Sequence, residues 1–273
     1  MNSLPTARNQ CTLPGTLLLG LLMAAMSLSV QAQLPDSITR IKPSIVMVGA
    51  HSAAGAPAFN LLGSGFAVGG NLIATNAHVS AQIHSAPLNA RLVVRLIDKH
   101  NEQLRNASVV GSDPVHDLAL LRIDGPPIPA TEIGNSSLVR EGEAIAFIGF
   151  PIGGALGFSP VTHRGIVSAI TSIAPPSQND QGLTAQRVRA IRSGAFPVFQ
   201  LDATAYPGNS GGPVFKPDTG QIIGIINMVF VKGAKESALS QPSGITYAIP
   251  AEHLKTLMRS LDAADGTPTT SMK

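Results

Sequence analysis

The segment Gly208-Asn209-Ser210-Gly211-Gly212-Pro213-Val214 sets a serine among glycines, between a polar turn and an apolar stretch. Glycine at such positions lets backbone approach a substrate carbonyl and adopt dihedrals that a side chain would forbid. In a loop so shaped, the N–H groups of Gly208 and Ser210 would converge on one oxygen and stabilise the negative charge developing there. The same residues also suit a glycine-rich turn without chemistry. A serine hydroxyl is a weak nucleophile until a base takes its proton, so catalysis at Ser210 requires a histidine and a carboxylate elsewhere in the chain. His78 stands at the end of the apolar run Leu72-Ile73-Ala74-Thr75-Asn76-Ala77-His78-Val79. Asp117 stands directly before the run Leu118-Ala119-Leu120-Leu121-Arg122-Ile123. A carboxylate beside a buried strand is costly unless paired, and one that accepts a proton from an imidazole is satisfied and fixes the useful tautomer. Taken singly, each residue also has an ordinary role, the histidine at a strand end and the aspartate as a turn former.

The elements that would position these residues are short and β-rich. Apolar bursts at Ser44 to Ala50, Gly65 to Val68, Leu72 to Thr75, Arg91 to Ile97, Ala107 to Val110 and Leu118 to Ile123 predict a first set of strands, with turn residues between them. Gly125-Pro126-Pro127-Ile128-Pro129 cannot continue a ladder, because proline lacks the donor, and begins a linker to about Val139. A second set follows at Ala144 to Phe150, Thr162 to Ile170, Pro197 to Asp202, Pro213 to Phe215, Gln221 to Phe230 and Gly244 to Ile249. Lys216-Pro217-Asp218-Thr219-Gly220 has hairpin-turn chemistry. Leu254, Leu257, Met258 and Leu261 share a face behind Pro250, which predicts a C-terminal helix over about 251–263. A single helical turn is expected between Pro35 and Pro43, and a frayed tail from Gly266.

Composition supports this organisation. The 273 residues are 44% hydrophobic and 13% charged, so the chain buries a large core and is not disordered. Its 27 glycines and 21 prolines exclude a long-helix or coiled-coil architecture. Two tyrosines and no tryptophan argue against aromatic stacking on bases or sugars, and no nucleic-acid partner is expected. Arg8, the apolar run Leu17 to Val30 and the ending Val30-Gln31-Ala32 have the pattern of a secretory signal peptide over residues 1–32. That run is too short for a spanning helix, so no stable membrane insertion is expected after cleavage. The mature chain, 33–273, would lose Cys11, the one cysteine, and with it any disulfide or thiol chemistry. His51, His84, His100, His116, His163 and His253 form no zinc signature and are expected on the surface or in loops.

His78, Asp117 and Ser210 follow the chain order of the chymotrypsin-type triad, the first two in one β half and the serine in the other. With Gly63-Ser64-Gly65-Phe66, Thr75-Asn76-Ala77-His78-Val79, Asp117-Leu118-Ala119-Leu120-Leu121, Ala146-Phe147-Ile148-Gly149-Phe150-Pro151, Gly165-Ile166-Val167-Ser168, Gly208-Asn209-Ser210-Gly211-Gly212-Pro213 and Gly244-Ile245-Thr246-Tyr247-Ala248-Ile249-Pro250, the chain resembles trypsin-like serine proteases, and more closely the HtrA (Deg) branch. The resemblance covers about Ile41 to Ile249. It implies an all-β fold of two six-stranded antiparallel β-barrels, at about 44–124 and 140–250, with a short C-terminal helix and the site at their junction. It also implies His78 as general base and acid, Asp117 as its orienter, and Ser210 as the nucleophile of an acyl-enzyme, with no cofactor and no metal.

Departures from the family pattern refine what it implies. Asn209 stands where digestive relatives have an aspartate that pairs with a newly cut N-terminus, so activation by that ion pair is not expected. Only 23 residues follow Pro250, so control through an attached PDZ domain is not expected either. The segment Thr171 to Ala195 is long and carries Arg187, Arg189 and Arg192, whose role is open between a solvated loop, an acidic partner's contact, a gate and a self-cleavage site. Thr204 replaces the aspartate of relatives that cut after Arg or Lys. That disfavours a basic-residue preference, and the resemblance implies small or medium aliphatic side chains in a pocket near Thr204, Ala205, Ile226 and Asn227. The expected activity is that of a periplasmic or secreted endopeptidase acting on unfolded or damaged polypeptides. The alternatives are a non-proteolytic binding or chaperone module on the same fold, and a small-ester hydrolase. Homo-oligomerisation is left open.

Overall fold

The computed structural model describes residues 33–264 except 54, 56, 99–100, 155–158, 174–195 and 228–243, together with Gly266. The signal-peptide segment and the arginine-bearing segment around Arg187, Arg189 and Arg192 lie outside the described residues, as does His100. The described residues begin with a helix, α1 (Gln33–Ile41), longer than the one turn expected. The first barrel follows: β1 (Ile45–His51), β2 (Phe59–Gly69), β3 (Leu72–Thr75), a short helix α2 (Ala77–Ala81), β4 (Arg91–Asp98), β5 (Asn101–Asp113) and β6 (Leu118–Ile123). The second comprises β7 (Ala144–Gly149), β8 (Val161–Ile173), β9 (Phe196–Asp202), β10 (Pro213–Phe215), β11 (Ile222–Asn227) and β12 (Ile245–Pro250), and leads into α3 (Ala251–Ala264).

Each set of six antiparallel strands closes on itself, in the order β1-β2-β3-β6-β5-β4 and β10-β11-β12-β9-β8-β7. Closure removes the open edges that a sheet would otherwise present to other chains. Proline keeps 126–129 out of both ladders, and the linker is fastened to each barrel instead. Thr131 N–H donates to the Ala67 carbonyl at 2.9 Å, and Gly134 N–H to the Ile222 carbonyl at 2.8 Å. The Lys216 to Gly220 turn joins β10 to β11 as the sequence predicts, closed by Lys216 N–H to the Gln221 carbonyl at 3.0 Å.

Strand alternation sorts side chains into three apolar bodies. In β6, Leu121 and Ile123 face the interior of the first barrel with Val46 and Val48. In β7, Ile145 and Phe147 face the interior of the second with Leu201 and Val214. The opposite faces, Leu118 and Leu120 from β6 and Ala146 and Ile148 from β7, meet each other with Phe66, Phe215, Leu254 and Leu257. Burial on both faces is why β6 and β7 read as nearly continuous apolar runs. The apolar stripe of α3 closes this third body, so the helix that leaves the second barrel also packs on β5 and β6 of the first. Among the described residues no helix is long and apolar enough to cross a membrane.

Leu120 is fully buried where barrels and helix meet. Leu120→Ala is expected to lower unfolding stability by about 2–5 kcal/mol, seen as a lower urea midpoint at an unchanged slope.

Candidate active site

His78 is the second residue of α2, just after β3 ends, and not part of the strand itself. Asp117 is the last residue of the loop 114–117, between Asp113 and Leu118, which are partners across the β5–β6 ladder. Its backbone is left-handed, with φ +51°, a conformation aspartate tolerates better than most residues. That backbone turns the side chain toward α2. Asp117 Oδ1 accepts His78 N–H at 2.8 Å, and Oδ2 lies 2.6 Å from His78 Nδ1. From the other side the Asp117 carbonyl accepts Ala77 N–H and Asn76 Nδ2–H, both at 3.1 Å. Asn227, the end of β11 in the second barrel, donates its side-chain Nδ2–H to Asp117 Oδ2 at 2.7 Å. The carboxylate thus accepts donors from both barrels while only 18% of its side chain is exposed.

Ser210 is buried in the loop that precedes β10. Its carbonyl accepts Ser64 N–H from β2 at 2.8 Å. Ser64 also sends its hydroxyl proton to the Gly208 carbonyl at 2.6 Å and accepts Phe150 N–H at 2.9 Å, while Thr75 Oγ1–H caps the Ser64 carbonyl at 2.7 Å. A side chain on Gly63 would strike Val79 at 2.7 Å and the Ser210 carbonyl at 2.9 Å, so the residue next to His78 and the serine loop press on one bare stretch of β2. Gly208 (φ +100°) and Gly211 (φ +84°) have backbones closed to other residues, and any Cβ there would overlap the Phe150 or Ser64 carbonyl.

The loop uses its amides unevenly. Asn209 N–H donates to the Tyr206 carbonyl (3.0 Å), Gly211 N–H to that of Ile226 (3.0 Å), and Gly212 N–H to that of Asn209 (2.9 Å). The N–H groups of Gly208 and Ser210 donate to no group among the described residues. No hydrogen bond among those residues joins His78 to Ser210.

The residues expected around the substrate pocket divide. Thr204 is half-buried in the β9–β10 connection, and Ala205 is buried with its N–H on Thr246 Oγ1 at 3.1 Å. Ile226 is fully buried in the core of the second barrel, and its backbone holds the serine loop. Asn227 is fully buried, and its side-chain amide is the one that donates to Asp117. Ser64 was not singled out as a site residue in the sequence. The signal was present in its flanking glycines, since glycine inside a strand marks close backbone approach.

Three histidines expected on the surface or in loops are half-buried in ring stacks. His163 lies 4.6 Å from Phe147 with the rings nearly parallel, and its buried Nε2 has no partner among the described residues. Burial pushes its pKa below the ordinary histidine value. His116 stacks on His253 at 3.8 Å. Among the described residues, no histidine and carboxylate group is arranged to hold a metal ion.

A model of the trypsin-like peptidase domain matches residues 63–225. The chain is 33% identical over 190 residues to a probable periplasmic serine endoprotease, DegP-like, of Pseudomonas putida (strain W619), covering 69% of this chain and 32% of that protein. It is 31% identical over 193 residues to the DegP-like protein of Ectopseudomonas mendocina (strain ymp), covering 70% of this chain and 33% of that protein. The chain therefore spans about a third of the length of these curated relatives. Among solved structures it is similar to the HtrA-type protease AlgW with tripeptide, at 28% identity and a TM-score of 0.58 over 84% of this chain and 63% of that one. It is also similar to Deg5, at 25% identity and a TM-score of 0.61 over 84% of this chain and 93% of that one.

Ser64→Ala leaves the buried Phe150 amide and Gly208 carbonyl without their partner, and is expected to cost about 1–3 kcal/mol in urea unfolding. For His163, a folded pKa below the unfolded one means the unfolded chain binds protons more readily. The stability tied to the neutral ring is intact above the ordinary value of about 6.5 and is lost as pH falls below it. His163→Phe should therefore melt with a weaker dependence on pH between about 7 and 5 than the wild type.

Proposed function

The chain belongs to the trypsin-like peptidase family, and from that membership we propose that it is an exported serine endopeptidase that cleaves polypeptides through an acyl-enzyme. The observation that carries this reading is Asp117, bound at once to His78 and Asn227, beside a serine loop whose Gly208 and Ser210 amides are unspent. With Nδ1–H given to Asp117, Nε2 of His78 is the basic nitrogen. It takes the proton of Ser210 as Oγ attacks the scissile carbonyl. Catalytic hydrogen bonds of this kind tighten in the substrate complex. The carbonyl oxygen gains negative charge, which the N–H groups of Gly208 and Ser210 stabilise. His78 returns the proton to the departing amine, and water then releases the acyl group by the same steps in reverse order of roles. Asp117 stays ionised throughout, holding the imidazole in its tautomer and stabilising the imidazolium.

Export follows from residues 1–32 read as a cleaved signal peptide, and the periplasmic names of the relatives support the same compartment. The substrates are unfolded or damaged proteins with small or medium aliphatic side chains at the cut. Thr204 and Ala205 are the pocket residues this requires. Homo-oligomerisation is compatible with this activity and no surface feature is assigned to it.

Ser210→Ala should reduce peptide turnover by roughly a millionfold with the fold intact. A serine-directed phosphonate should label Ser210 in the wild type and nothing in the variant. Equal digestion of casein by both proteins would overturn the proposal. Absence of digestion by either, with retained binding of unfolded chains, would assign the fold a chaperone role. Ester turnover without peptide turnover would assign it to small-ester hydrolysis.

A further inference from the structure

Immediately outside the His78–Asp117 pair lies a second one. Asp113 Oδ2 is 2.6 Å from His116 Nδ1, and Asp113 Oδ1 accepts the N–H groups of Val115 and His116, each at 3.1 Å. All three bonds lie within the loop that ends in Asp117. The His116 ring is then clamped from the second barrel. His253, in the first turn of α3, stacks on it at 3.8 Å and 20°, and Phe196, the first residue of β9, meets it edge-on at 4.6 Å. Phe196 also abuts His253 edge-on at 5.5 Å.

We propose that Asp113, His116 and His253 form a positioning assembly for Asp117, holding its loop from outside the site as Ala77 and Asn76 hold its carbonyl from within, and making that hold sensitive to protonation at His253. This rests on the peptidase activity proposed above. Four residues separate Asp113 from Leu118 across the ladder, and the last of them takes an uncommon backbone conformation. Asp117 cannot keep that conformation and its aim unless its neighbours are fixed. Asp113 fixes the loop's amides, and the histidine stack fixes the loop against the second barrel, from which Asn227 also reaches Asp117. The assembly is therefore set to keep His78, Asp117 and Asn227 in register across the junction.

The protonation step has a direction. Burial first, then the charge of His116, lowers the pKa of His253, and Asp113 and Glu252 oppose this only in part. Glu252 is itself bound by Lys255 at 2.9 Å. Burial raises the pKa of Asp113, but its bonds with His116 and Val115 outweigh that and hold it below the usual carboxylate range. Asp113 thus stays charged and paired as the pH falls. His253 takes up a proton only against burial and the stack, so protonation there works against the helix side of the clamp.

The test compares the wild type with Asp113→Asn, His116→Phe and His253→Phe. The readouts are kcat and KM for a peptide substrate against pH, and the downfield proton resonance of the His78–Asp117 hydrogen bond. His116→Phe keeps a ring against His253 but loses Asp113. Asp113→Asn keeps an acceptor for the loop amides but loses the charge. Both are expected to lower kcat about tenfold with KM within about twofold, and to shift the His78 proton upfield. His253→Phe should keep kcat within about twofold near pH 8 and decline less than the wild type below pH 6.5 or so. If His116→Phe does not fold, as judged by near-ultraviolet circular dichroism, the other two variants decide. A proton resonance and a kcat profile in those variants that superimpose on the wild type overturn the proposal. If Ser210→Ala turns over peptide like the wild type, the peptidase reading fails, and the resonance still tests the positioning role.

Discussion

A carboxylate withdrawn from water must be given donors, and the donors that Asp117 takes come from separate parts of the chain. His78 supplies two, its amide and its ring, from the first barrel. Asn227 supplies a third from the second. Losing either side would leave a charge beside the buried start of β6 with too few partners, which costs more than losing a neutral hydrogen bond. The barrels are thereby pinned to one alignment where His78 and the serine loop lie on either side of β2. The apolar body between them supplies adhesion, but apolar contact is non-directional and would tolerate small slips. The hydrogen bonds of Asp117 are directional and would not.

The serine loop is held by the same division of labour. Ser64, fully buried in β2, bonds to Gly208, Ser210 and Phe150, so a strand of the first barrel shapes a loop of the second. That arrangement works only because Gly63, Gly208 and Gly211 leave room for neighbouring carbonyls, and Gly149 leaves room for the Ser64 hydroxyl and the Asn209 side chain. The glycines therefore accommodate the Ser64 bridge, and the bridge in turn leaves the N–H groups of Gly208 and Ser210 unengaged among the described residues.

Much of this was legible in the sequence because it depends on local pattern. Short apolar bursts bounded by turn residues marked all twelve described strands, and the stripe of Leu254, Leu257, Met258 and Leu261 marked α3. Strands β2 and β5 run well beyond their apolar segments, since residues such as Asn60, Gln103 and Asn106 pair through the backbone at the barrel rim, where side-chain polarity carries no penalty. The short helix at His78 escaped notice because five residues are too few to display a period. Asn227 and Ser64 were harder still. Nothing in the order of residues says that β11 ends 2.7 Å from a carboxylate 110 positions earlier. The histidine stacks are non-local in the same way, since His116 and His253 meet only after both barrels have closed.

Asn209 shows what the loop gives up. Its side chain is fully buried, and neither its oxygen nor its nitrogen has a partner among the described residues. An aspartate at that place would bury a full charge with no counter-charge, at a far larger cost than a neutral amide, so the amide is the tolerable choice where no cation is brought in. The order of the loop must then come from its backbone. Ser64 grips it at Gly208 and Ser210, Ile226 grips it at Gly211 and Gly212, and both grips are made by residues whose own positions depend on closed barrels. Loop order is in this way a property of how the two barrels sit together, and whatever disturbs their junction, including the charge on a histidine at its rim, acts on the serine and the carboxylate at once.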